Sequence, residues 1–174
     1  GATIHTASNA DLNTLMTAKE FNQLALLRAE LLKSSDDLAG VFVPWAGKEL
    51  RRNGGIYFVG IATDGGFAAQ HPQTFESCLE DTEKMCSVEG HDRARSPFWN
   101  FLNRLTVELL SGAFPLRRDH WGWSNLFKIG VAKGSPPPAL HDAQRLLCIK
   151  VLSAELQQLR GSLVFIGAGA NQNL

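Results

Sequence analysis

Cysteine is scarce in this sequence, long apolar runs are missing, and neither sign of charge is in excess. Each shortage removes a class of function. The three cysteines, Cys78, Cys86 and Cys148, share no CxxC spacing, which argues against a disulfide framework and points to a reducing, cytoplasmic compartment. No segment reaches the roughly 18 consecutive apolar residues of a membrane span, and the first residues lack the basic-then-apolar pattern of a secretory signal. A membrane is therefore not an expected partner. Seventeen Lys and Arg balance seventeen Asp and Glu, so no global positive field draws in nucleic acid, and a polyanion would need a local basic patch. GxSxG and HExxH are missing too, which leaves serine-hydrolase and zinc-protease readings without support. Gly1 stands where Met is expected, which suggests a processed or tagged chain rather than a native start.

What is present reads as a single domain over 174 residues, with 44% hydrophobic residues to build a core. Thr17 and Glu20 make a capping box before an amphipathic helix carrying Phe21, Leu24, Leu27 and Leu31, so residues 1–40 form an N-terminal helical segment. "VFVPW" reads as a short extended piece broken by Pro44, and "IYFVGIA" as a strand over 56–61. Residues 65–95 are polar and irregular, with a short helix across "TFESCLEDTEKM". Ser96 and Pro97 then start a helix whose buried stripe is Phe98, Phe101, Leu102, Leu105 and Leu109, ended by Gly112. "WGWSNLFKIG" gives a second strand, with 121–126 as its paired part. Residues 138–160 make a long helix on Leu140, Ala143, Leu147, Val151 and Leu159, and "GSLVFIGAGA" a third buried strand over 163–166. Apolar strands alternating with helices predict an α/β fold, a three-layer α/β/α sandwich with a mostly parallel central sheet.

Open sheets of this type bind ligands at the carboxyl ends of their strands. "TDGG" at 63–66, "NLFK" at 125–128 and "GAGANQ" at 167–172 are thus expected to line one cleft. The turn "GIATDGG" suits backbone contact with a ligand but lacks the Lys-Ser/Thr ending of a P-loop, and a tight strand exit explains it equally well. "GAGANQ" has two glycines of a dinucleotide fingerprint, with Gln172 in place of the third. His71, Cys78, Cys86 and His91 match no common zinc spacing, which favours a solvated loop and no metal. Asn125 ends an apolar, aromatic strand, where its carboxamide either bonds a neighbouring loop backbone or reads the amide edge of a planar ligand. Phe98 is either a first-turn core residue or a ring for such a ligand to stack on.

The succession "VGIATDGG", "SPFWNFLNRL", "WSNLFKIG" and "LHDAQRLLCIKVLSAELQQLRGSLVFIGAGA" resembles the uracil-DNA glycosylase superfamily, nearest to its bacterial and archaeal branches. The resemblance implies a glycosylase-like core over 54–174. It makes Gly60, Ile61 and Ala62 the start of a water-activating, backbone-contacting loop, Phe98 the base-stacking ring and Asn125 the reader of the uracil edge. Such enzymes flip a nucleotide out of the stack, position water with a carboxylate or polar group, and stabilise the departing uracil anion with a donor. The implied partners are single-stranded or base-flipped DNA, or a free nucleobase.

The departures from that pattern are equally specific. Ile61 and Ala62 stand where many members carry a polar residue, and Thr63 replaces the usual Pro, which leaves Asp64 and Asp92 as candidate catalytic carboxylates. Iron–sulfur branches use four cysteines, whereas here Ile129 follows Lys128 where one ligand would lie, so no cofactor is expected. Members continue beyond the Leu-Gly-Ala strand to a His-Pro-Ser-like loop that supplies a histidine donor. None of the five histidines here lies in such a motif, which implies a shortened copy or one without the usual machinery. The expectation is a base-binding domain with impaired N-glycosidic hydrolysis. The alternatives are a non-catalytic relative binding a nucleobase, nucleotide or protein, and an unrelated Rossmann-like nucleotide binder.

Overall fold

A computed structural model describes residues 12–35, 37–62, 73–87, 97–159 and 161–167. Among them the chain is a mixed α/β protein with six strands. The order is α1 (Ala18–Leu31), β1 (Leu38–Val41), β2 (Trp45–Ala46), α2 (Leu50–Asn53), β3 (Ile56–Gly60), α3 (Phe75–Met85), α4 (Pro97–Leu110) and α5 (Phe114–Arg117). A 3-10 turn at Arg118–His120 leads into β4 (Trp121–Asn125), β5 (Ile129–Val131), α6 (Pro138–Gln157) and β6 (Leu163–Ile166).

The four-stranded sheet has the order β2-β4-β3-β6. β3 is parallel to β4, with Ile56 opposite Trp121 and Gly60 opposite Asn125, and parallel to β6, with Ile56 opposite Leu163. The three strands legible in the sequence thus pair as expected, and α6 is the crossover into the last. The antiparallel part was not legible. β1 pairs with β5 and β2 with β4, and a 2.7 Å bond from the Phe42 amide to the Lys128 carbonyl bridges the two pairs. Pro44 lies in the gap between β1 and β2, as expected of a residue that cannot donate to a ladder.

All five residues of β3 are buried, because both faces of the strand are covered. Ile56 and Phe58 pack with Trp99 and Leu102 of α4 and with Trp121 and Trp123. Tyr57 and Val59 pack with Leu152 of α6, Leu15, Ala46 and Leu50. β4 carries Gly122 where this second face is tightest: a Cβ there would lie 2.6 Å from Tyr57 Cδ2 and 2.8 Å from Leu50 Cδ2. Gly122→Ala is therefore expected to destabilise the fold by about 1–3 kcal/mol through overpacking, seen as a lower urea midpoint.

Helix starts follow local chemistry. Thr17 and Glu20 form the expected reciprocal cap of α1, and Thr74 with Ser77 does the same for α3. α4 ends at Leu110, one residue before Ser111, which takes the left-handed φ of 52° that the sequence would assign to Gly112. On α1 the buried face includes Arg28, whose guanidinium bonds the carbonyls of Leu38 and Ala39 in β1.

Three expectations about burial are corrected. On α4 the buried stripe is Trp99, Leu102 and Thr106, whereas Phe101 and Leu109 are exposed; both stripes have helical spacing, and the aromatic core selects the one led by Trp99. On α6 Ala143 is exposed, while Gln144, Cys148 and Glu155 lie on the buried face. Their polar groups find partners inside, so an apolar-only reading passes over them. β6 is not a buried strand: Leu163 and Ile166 are 52% and 63% exposed. Among the described residues it is the sheet edge, bonded to β3 on one side, and the Glu155 contacts of α6 lie over Tyr57 and Ser124.

Candidate functional site

The carboxyl ends of β3, β4 and β6 lie side by side. Gly60 is opposite Asn125, and the amide of Gly167, just past β6, donates to the Val59 carbonyl at 2.9 Å. The β3 strand ends at Gly60, and Ile61 and Ala62 begin the turn. Its first half is fixed from the β4 side: the Leu126 amide donates to Gly60 O and the Phe127 amide to Ile61 O, both at 2.8 Å. The side chains of Ile61 and Ala62 lean on the core cluster of Phe21, Phe75 and Phe127. They supply apolar wall and no polar group.

Asn125 is 2% exposed. Its carboxamide lies directly over Gly60, so close that a Cβ on that glycine would sit 2.5 Å from Oδ1. Gly60 is thus required by contact, not by an unusual φ. The Asn125 Nδ2 group is enclosed and has no hydrogen-bond partner among the described residues. Among those residues the carboxamide nitrogen caps no loop backbone. An enclosed donor without an acceptor costs about 1–3 kcal/mol, a penalty that an arriving carbonyl oxygen would relieve.

Beneath this turn lies a polar cluster that sequence reasoning missed. Lys128 Nζ lies 2.8 Å from Glu155 Oε1, with both side chains fully buried. The ammonium also donates to Ser124 Oγ at 2.5 Å and to the Asn125 carbonyl at 2.6 Å. Glu155 Oε2 accepts from the Tyr57 hydroxyl at 2.9 Å and from Ser124 Oγ at 2.7 Å. Burial, then the Glu155 charge, pushes the Tyr57 phenol well above its ordinary pKa, so Tyr57 remains a donor. The signal in the sequence was a lysine inside "NLFKIG" and a glutamate four residues after Val151 on one helix face; a charge in an apolar stripe marks a buried pair.

Beside the cluster, Gln144 has a structural role. Gln144 exchanges bonds with the backbone of Ile129 at both its oxygen and its nitrogen. The His141 ring stacks on Phe127 at 4.0 Å between centroids, and burial, with Arg145 nearby, lowers its pKa.

Of the residues read from the sequence, the structure brings together Gly60, Ile61, Ala62 and Asn125. Phe98 falls in the first turn of α4, and its side chain lies outside the described residues. Asp64, Asp92, His71 and His91, with segments 63–66 and 168–172, also lie outside them. Cys78 and Cys86 belong to different core clusters. Burial raises the Cys78 thiol to about 11 and the Cys86 thiol further still. Among the described residues no group of three or more His, Cys, Asp or Glu side chains is placed to hold a metal, and no helix is long and apolar enough to cross a membrane. No protein-family model, curated protein or solved structure matches the chain.

Proposed function

We propose that this chain is a nucleobase-binding domain of the uracil-DNA glycosylase type, a three-layer α/β/α sandwich that receives a free or flipped-out uracil at the ends of β3 and β4. The observation that carries this reading is the enclosed Nδ2 of Asn125, without a hydrogen-bond partner among the described residues, in a carboxamide whose Oδ1 packs over Gly60. A carboxamide offers one donor and one acceptor side by side, which complements the adjacent carbonyl oxygen and ring N–H of uracil. Gly60 leaves room for that carboxamide, and Ile61 and Ala62 bring no polar side chain to compete for those bonds.

In this reading Asn125 holds the base, Phe98 stacks on it, and Asp64 or Asp92 positions water at the sugar carbon. The apolar side chains of Ile61 and Ala62 put no general base at the start of the turn. Such a base typically contributes about a hundred- to ten-thousand-fold in rate. The site is therefore a base binder first, and N-glycosidic hydrolysis on it is slow.

Calorimetric titration with uracil and with cytosine tests the reading. Cytosine presents an amino donor and a ring acceptor where uracil presents the reverse, so uracil should bind at least about tenfold more tightly. Absence of uracil binding, or equal affinity for the two bases, would remove the proposal. A single-stranded oligonucleotide containing uracil should lose its base only slowly in the same preparation.

Gly60 supplies a more local check. In Gly60→Ala the new Cβ meets Asn125 Oδ1 at 2.5 Å, and its next neighbours stand at 3.7 and 3.8 Å. The carboxamide has to move while the strand does not. Uracil affinity is expected to fall about tenfold, with thermal stability nearly unchanged.

A further inference from the structure

Stability alone does not account for the cluster under the Asn125 turn. Taking both charges of a pair out of water is costly, and apolar replacements of similar volume are often neutral or stabilising. Yet Lys128 and Glu155 are fully buried, and their bonds converge on one place, the end of β4. We propose that Lys128, Glu155 and Ser124 are positioning residues that hold the Asn125 carboxamide in its base-reading orientation, an inference that rests on the role given to Asn125 above.

An ammonium has three protons to donate. Here two of them meet Ser124 Oγ and the Asn125 carbonyl, and Glu155 Oε1 stands 2.8 Å away as the counter-charge. Lys128 follows Asn125 by three residues, so its bond to that carbonyl closes 125–128 into a tight loop through a side chain. Glu155 brings α6 to the same point and, through the Tyr57 hydroxyl, β3 as well. From the other side, the amides of Leu126 and Phe127 bond the carbonyls of Gly60 and Ile61. The backbone of Asn125 is thus held from both sides, while its own Nδ2 has no bond to orient it. With no hydrogen bond to the amide among the described residues, where it points depends on that backbone grip and on its packing over Gly60.

The test uses the full chain carrying Lys128→Met and Glu155→Leu together, which removes both charges and keeps apolar volume. Three quantities are read: the urea midpoint, the dissociation constant for uracil, and the side-chain amide resonances of Asn125 in the free protein, assigned by their loss in Asn125→Ala. The midpoint should stay near that of the parent protein. Uracil affinity should fall about tenfold or more, as for other supporting contacts behind a ligating side chain. The Asn125 amide pair should move toward the averaged shifts of an unrestrained carboxamide. A folded double variant with unchanged Asn125 resonances would overturn the inference, as would unchanged uracil affinity. If the parent protein binds no uracil, the base-reading role fails, and the amide resonances still decide whether the network positions Asn125. Should the double variant not fold, Ser124→Ala removes one acceptor with the charges left paired and is judged on the same resonances.

Discussion

Lys128→Met is expected to lower the unfolding free energy by about 3–5 kcal/mol, a large share of the roughly 5–15 kcal/mol of a typical domain. The loss does not measure the attraction of the pair. It arises because the Glu155 carboxylate stays enclosed, with only the Tyr57 and Ser124 hydroxyls to replace the ammonium and no water to solvate it. Glu155→Leu should cost a comparable amount for the mirror reason, since Lys128 would keep Ser124 Oγ and the Asn125 carbonyl but no counter-charge. Because each single change strands the other charge, the two losses cannot add, and the double variant should be more stable than either single one. Urea unfolding of the parent and three variants measures all four corners of this cycle. A single variant within about 1 kcal/mol of the parent would mean that water reaches the pair.

The second large effect separates stability from binding at one residue. Asn125→Ala removes an enclosed donor that has no partner, so the folded protein should lose little stability and could recover part of the roughly 1–3 kcal/mol that such a donor costs. Uracil affinity should fall about ten- to a hundredfold, the worth of one or two hydrogen bonds in a water-poor site. A structural asparagine would behave in the opposite way, with a large fall in the urea midpoint and no effect on ligand. Paired unfolding and calorimetric curves on the one variant distinguish the two cases.

The parallel strands were legible because β3 and β4 are covered on both faces, and such strands must be apolar throughout. Asn125 stood out for the same reason, as a carboxamide at the end of an otherwise apolar, aromatic strand. The edge strand β6 was misread because a run such as "LVFI" has the same composition whether one or both of its sides are paired; neighbours in space decide that, not sequence. The antiparallel pairing of β1 and β2 against β5 and β4 depends on contacts between residues 76 to 93 positions apart, for which local patterning carries no signal. On α4 the hydrophobic stripe was placed one residue off, since Phe101 and Trp99 offer equally good helical spacing until the aromatic core of Trp121 and Trp123 is known. Lys128 and Glu155 were hidden by the habit of assigning charge to the surface. Only their mutual reach, from the turn after β4 to the last turn of α6, makes the burial intelligible.

The central claim, that Asn125 reads a nucleobase over Gly60, is tested most directly by nuclear magnetic resonance of the labelled protein during a uracil titration. The side-chain amide pair of Asn125 should shift saturably to lower field as Nδ2 gains a carbonyl acceptor, in step with the backbone amides of Gly60 and Ile61. If the Asn125 pair stays fixed while uracil is raised to millimolar concentration, or if the shifts gather elsewhere on the molecule, the assignment of this site is wrong.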